Sequence, residues 1–243
     1  MRPYLFALSL AAALAAGAAQ AQPTTVVVRA RALDAKFIGT HVGGAQVTLT
    51  DARTGKTLAS GKIEGATGDT PKLMVQPAAR NAPLADADTA KFTAQLDITE
   101  PTPVRAVVRA PAGMEASSTL WVLPGRNIEG DGWVLSFPGL IVEPSAVVGA
   151  DRKAMVHAKV ALMCGCPIEP KGLWDAANYT VSAELTRKGA EPVRFPLAYA
   201  GTKSEFAAPT PTPLAPGAYR LRIIATDATT PNAGVADTDL VVK

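Results

Sequence analysis

The chain has 243 residues, 24 Lys and Arg against 21 Asp and Glu, a net charge of +3, and 48% hydrophobic but only 5% aromatic residues. With the charges nearly balanced and no basic stripe, a nucleic-acid-binding surface is excluded, while the hydrophobic share is enough to build real cores. Two histidines and two cysteines in the whole chain leave few parts for nucleophilic or metal chemistry.

Residues 1–21, MRPYLFALSLAAALAAGAAQA, read as a secretory signal. Arg2 precedes an apolar run from Tyr4 to Ala16, and the stretch closes on Ala19-Gln20-Ala21. A charged start, an apolar middle too short to span a bilayer and a small-residue cleavage site predict removal after Ala21. No cysteine follows as a lipid acceptor, and no later run approaches the ~18 apolar residues of a membrane helix. The expectation is a periplasmic or secreted protein that does not span the membrane, its remainder long enough for two domains of about 100 residues.

The 20 glycines and 20 prolines punctuate that remainder too often for long helices. Between them the sequence alternates with period two. TTVVVRARALD puts Val26, Val28, Ala30 and Ala32 on one strand face, with Arg29 and Arg31 on the other. GAQVTLTDARTGKTLASGKI reads as a hairpin turning at Asp51–Gly55, and AKFTAQLDI, TPVRAVVRA, SSTLWVLPG and GWVLSFPGLIVE are further strand candidates. The long polar segment between residues 64 and 90 is predicted to be a surface excursion over one sheet edge. A second series begins near residue 151: AMVHAKVALMC as one long strand, then NYTVSAELTR, VRFPLAY, SEFAAP, GAYRLRIIATD and GVADTDLVV. Short strands separated by turn signals predict an all-β fold of two tandem β-sandwiches, residues 22–143 and 144–243, joined within 143–151.

The first half, through VGGAQVTLTDARTGKTLASGKIEGATGDT and the later AKFTAQLDI, resembles the transthyretin-like or carboxypeptidase regulatory-like domain over about residues 24–110. A Gly-Ala-x-Val strand, a turn, a return strand and a further strand starting near an aromatic (here Phe92, preceded by Ala90-Lys91 in place of the usual Asp-Gly) carry the likeness. The second half resembles immunoglobulin-like domains in its strand pattern. The resemblance implies mostly non-catalytic binding, stalk or accessory modules.

Catalytic constellations are scarce. TGKT at 54–57 imitates a phosphate loop, but it sits in a hairpin turn and Thr50 stands where the upstream glycine belongs. No G-x-S-x-G or H-E-x-x-H occurs. His41 is expected to be solvated in FIGTHVGG and His157 to lie mid-strand in the other half, so a shared site between them is not expected. Asp86 with Asp88, and Asp237 with Asp239, have the spacing of calcium-ligand pairs but read as solvated edges. The chain is therefore expected not to be an enzyme and to need no cofactor. Its partner would be another exported protein or a cell-envelope component.

The one candidate site is VALMCGCPIEP, which holds both cysteines. Alternation turns Val156, Ala158, Val160, Leu162 and Cys164 inward, and Met155, His157, Lys159, Ala161 and Met163 to a mixed face. Gly165 and Pro167 predict a bend. Three readings stand: a disulfide across a very small loop, reducible enough to suit thiol-redox chemistry, a soft-metal site for Cu(I) on Cys164, Cys166 and Met163, or an incidental or intermolecular pair; the alternative to a binding module is thus a periplasmic copper(I)-binding or thiol-redox protein. Trp174 and Asp175 in the following loop are placed to cover it.

Overall fold

The computed structural model describes residues 22–243, so the expected signal segment lies outside the described residues. Seven strands form the first sandwich: β1 (Gln22–Ala32), β2 (Ala45–Asp51), β3 (Thr57–Ile63), β4 (Phe92–Ile98), β5 (Thr102–Arg109), β6 (Glu115–Val122) and β7 (Ile128–Phe137). They make a three-stranded sheet, β4-β1-β7, and a four-stranded one, β3-β2-β5-β6. β1 runs parallel to β7, and the other pairs are antiparallel. The predicted hairpin is β2–β3; its turn is held by Gly55 N–H donating to the Asp51 carbonyl (2.8 Å) and Arg53 N–H donating to the Asp51 carboxylate (2.8 Å).

Alternation places the core as expected, with Val26, Val28 and Ala30 of β1 facing Leu49 of β2 and Val104 and Ala106 of β5, all fully buried. The other face of β1 differs from expectation. Arg29, expected on an open polar face, is only 3% exposed. The reason is the end of the largely exposed segment 64–90, whose residues 84–90 come over the outer face of β1 on the way into β4. Bridges Glu64–Lys91 and Ala66–Thr89 pair the segment's two ends with each other, Phe37 N–H donates to the Thr67 carbonyl (3.2 Å), and the segment carries one wide helical turn, Pro71–Val75. Arg29 Nη1 donates to the carbonyls of Thr89 and Ala90, and Nη2 to that of Gly130 (3.3 Å). Its guanidinium also stands over the Phe37 ring, 5.8 Å from the centroid. Asp131 accepts from the backbone N–H groups of Leu84 and Ala85, fixing the far end of the cover.

The second sandwich contains β8 (Leu140–Val148), β9 (Ala154–Leu162), β10 (Tyr179–Thr186), β11 (Val193–Tyr199), β12 (Glu205–Pro209), β13 (Gly217–Asp227) and β14 (Ala233–Val242). They hydrogen-bond in the order β14-β13-β10-β11-β12-β9-β8. The sheet folds back on itself until Gly234 of β14 abuts the Leu140 carbonyl of β8, where a Cβ would stand only 2.4 Å from the oxygen. Val156, Ala158 and Val160 meet Val181, Leu221 and Ile223 inside, each no more than 2% exposed. GWVLSFPGLIVE, expected as one strand, is two: Pro138 and Gly139 break it, and the chain changes sheet there. β8 then pairs with β9 from Leu140–Leu162 to Val148–Ala154, across the junction expected near 143–151. Among the described residues no helix is long and apolar enough to cross a membrane.

Candidate functional site

β9 delivers the two cysteines to the end of the second sandwich that faces the first. The strand stops at Leu162, earlier than the sequence suggested. The Leu162 carbonyl accepts from Gly165 N–H (2.7 Å), Leu162 N–H donates to the Cys166 carbonyl (3.3 Å), and Pro167 pairs back with Ala161. This is a three-residue hairpin loop whose last residue must be left-handed, and Gly165 supplies φ 72°. The turn brings the cysteine Cα atoms to 5.3 Å, and Cys164 and Cys166 form a disulfide. An extended strand would hold residues two apart at about 6.6 Å, so the bend at Gly165 is what makes the bond reachable.

The hairpin also ends the alternation of faces. Ala161, Leu162, Met163 and Cys164 are buried one after another, at 8%, 0%, 0% and 1% exposure. Met163, expected on the mixed face, is turned into the core next to Gly139, where a Cβ would lie 3.5 Å from Met163 Sδ and 3.6 Å from Met114 Cε. It does not line the cleft that the cysteines line. Both cysteines are bonded to each other, and a disulfide offers no thiolate to Cu(I). Among the described residues no group of three or more His, Cys, Asp or Glu side chains is placed to hold a metal ion.

What sequence reasoning missed is the partner of this hairpin. His41, expected to be solvated and remote, is exposed, yet its ring lies directly on Gly165: a Cβ there would be 2.6 Å from His41 Nε2 and 2.6 Å from Val42 Cγ1. The short helical turn Thr40–Val42 of the first sandwich thus packs on the CGC turn of the second. No local sequence signal links the two; only the glycines flanking each turn hint at close backbone approach. His157 stays apart, half-buried at mid-β9 between Ser145 and Ala207.

Two grooves open on either side of the His41–Gly165 contact. The first, about 310 Å³, is lined by Lys36, His41, Thr67 and Thr70 from the first sandwich and by both cysteines, Glu169, Leu173 and Trp174 from the second. The second, about 560 Å³, lies between Val42, Pro111 and Ala112 on one side and Glu143, Lys159 and Lys203 on the other. Trp174, expected as a lid, is a peg: it is 8% exposed and its indole Nε1 donates to the Asp34 carbonyl of the first sandwich (2.9 Å). Asp175 caps the next turn by accepting from Ala177 N–H (3.1 Å). Burial pushes the Tyr179 phenol well above its ordinary value, and the carboxylates of Asp227 and, from the first sandwich, Asp34 add to the shift. One aspartate of each pair is taken up by cations: Asp86 by Lys72 (2.6 Å), and Asp237 by Arg220 and Arg222 (2.8 Å each).

No family model matches the chain, and no curated protein matches it in sequence. Solved structures that overlay on it include a DUF3823 family protein from Bacteroides ovatus (12% identity, TM-score 0.33, 90% of this chain and all of that one). Others are the chicken interferon gamma receptor alpha chain (10%, 0.32, covering 93% and 99%) and a putative carbohydrate binding protein from Bacteroides uniformis (10%, 0.28, covering 89% and 98%). Overlays this loose bear on neither ligand nor activity.

Proposed function

We propose that the chain is an exported, non-catalytic binding module, a transthyretin-like sandwich followed by an immunoglobulin-like one, that takes its ligand or partner in the cleft between them. One observation carries the reading: loops from both sandwiches converge there on a cleft of about 310 Å³ with a buried floor and mixed lining. Clefts between domains, with apolar walls and a few polar groups, are where proteins most often hold ligands. Trp174 and the disulfide supply the apolar wall, and Lys36, His41, Thr67, Thr70 and Glu169 the polar groups. Export fits a chain whose two cysteines are paired, since disulfides persist in oxidising compartments.

The test is site-resolved crosslinking in cells that export the chain. A photo-crosslinking residue at Leu173, 55% exposed at the cleft rim, captures a discrete species, whereas one at Val147, 70% exposed at the far end of β8, does not. Equal capture at the two positions overturns the reading.

A further inference from the structure

The Cys164–Cys166 bond closes a loop that is already closed. The hairpin is held by two backbone hydrogen bonds, Gly165 N–H to Leu162 carbonyl and Leu162 N–H to Cys166 carbonyl, and by the Ala161–Pro167 bridge beyond. A disulfide stabilises through the chain entropy it removes, which grows with the loop it spans, and here the cysteines are two positions apart. As a staple it is nearly redundant. Its position is not what stapling requires either: both cysteines line the inter-sandwich cleft, facing Lys36 and His41 of the other sandwich.

We propose that Cys164–Cys166 is an exchangeable disulfide, reduced in the folded protein by a small thiol that enters the cleft. The substrate class follows from access. The cysteines are 1% and 4% exposed, so the thiol of a folded protein does not reach them; the little surface they keep lines a cleft of about 310 Å³, and the one route to them in the folded protein is for a small thiol within that cleft. The thiolate of a first thiol molecule attacks one cysteine sulfur. The Cys164–Cys166 bond breaks as a mixed disulfide forms, and the other cysteine leaves as a thiolate and takes up a proton. A second thiolate then attacks the small molecule's sulfur in the mixed disulfide, releasing the second cysteine, which is protonated in turn. Two thiols become one disulfide, and the cysteine pair gains two electrons and two protons. Lys36 and His41 line the same cleft as the two cysteines, and a cationic group beside a thiolate favours its formation. The exchange is stoichiometric and stands independently of the binding reading, since the crosslinking test leaves the disulfide untouched.

The experiment follows reduction of the full mature chain by glutathione, with free thiols alkylated and counted by mass at intervals, in urea concentrations below the unfolding transition. Exchange through the cleft gives a rate proportional to glutathione, nearly independent of urea, and well above the rate that global opening allows. Exchange that needs global opening is slower than in the denatured chain by the folding constant, about a thousandfold or more, and rises steeply with urea, and that result overturns the proposal. Thr70→Trp, which crowds the cleft, is expected to slow native reduction at least fivefold, with the denatured rate unchanged and the urea midpoint verifying its fold. An unslowed variant would overturn the route through the cleft.

Discussion

At Gly165 two demands fall on one residue. The hairpin requires a left-handed backbone there, and the packed face of His41 and Val42 leaves no room for a Cβ. Gly165→Ala therefore loses about 1–2 kcal/mol from backbone conformation alone, and displaces His41 besides. Urea denaturation is expected to show at least that loss, and a midpoint like the wild type's would refute the contact. Arg29 is the second residue on which much depends. Burial lowers its pKa, Asp131 opposes that shift, and its Nε has no partner, yet its terminal nitrogens satisfy the buried carbonyls of Thr89 and Ala90 and reach the exposed Gly130. Arg29→Met keeps the apolar stem and strands the two buried carbonyls, at about 1–3 kcal/mol for each left unpaired. The expected outcome is a loss of at least about 2 kcal/mol in chemical denaturation, with new protease cleavage between residues 64 and 90 as the cover lifts.

Among the elements, strands with one face inward and one in water were legible in the sequence. Tyr179, Val181, Ala183 and Leu185 of β10, and Tyr219, Leu221, Ile223 and Ala225 of β13, point inward as alternation requires. The reading failed where a distant segment decides exposure, as with Arg29 beneath the 84–90 cover, and where a turn ends the period, as at Met163. Neither event leaves a local trace, because burial of Arg29 is set by contacts some sixty residues along the chain. The outer face of β13 and β14 behaves as a solvated ion-pair lattice, and its contribution is pH-dependent. Hydrogen bonds from Arg222 and Arg220 hold the Asp237 carboxyl below the usual carboxylate range. Its folded pKa lies under the unfolded value of about 3.9, so its stabilisation is complete above that pH and fades as pH falls through the folded value. Asp237→Asn should lower the urea midpoint at pH 7, and the gap from wild type should close as pH drops below about 4. A gap constant down to pH 2 would show that the pair contributes nothing through charge. The CGC hairpin calls for a matching test: the double change Cys164→Ala, Cys166→Ala should cost about 1–2 kcal/mol by the loop-entropy estimate, since the turn keeps its own hydrogen bonds.

On the scale of the molecule, the sequence divides into two sandwiches but says nothing of how they meet, and the candidate cleft exists only because they do. Composition and alternation act within an element, whereas the junction is made by single residues far apart: His41 on Gly165, Trp174 on Asp34 and, most buried of all, Asn232. Asn232, 2% exposed in the turn before β14, accepts from Gly139 N–H through Oδ1 (2.8 Å) and donates from Nδ2 to the Leu33 carbonyl (3.2 Å). It thereby joins the second sandwich both to the sheet-changing break and to the loop after β1. A buried amide with both ends engaged couples the two bodies, because neither separates without stranding a donor or an acceptor. The wild type should therefore unfold in one transition, with Trp174 emission, read in a Trp121→Phe, Trp133→Phe background, and calorimetry coincident. Asn232→Ala leaves Gly139 N–H and the Leu33 carbonyl unpaired, about 2–3 kcal/mol in all, and that loss falls on the junction. Each sandwich is near 100 residues, where 1 kcal/mol moves the melting temperature by about 4–8 °C. The variant should show two resolved transitions, the Trp174 signal following the earlier one. A single coincident transition at the wild-type temperature would mean that the two sandwiches are held together without Asn232.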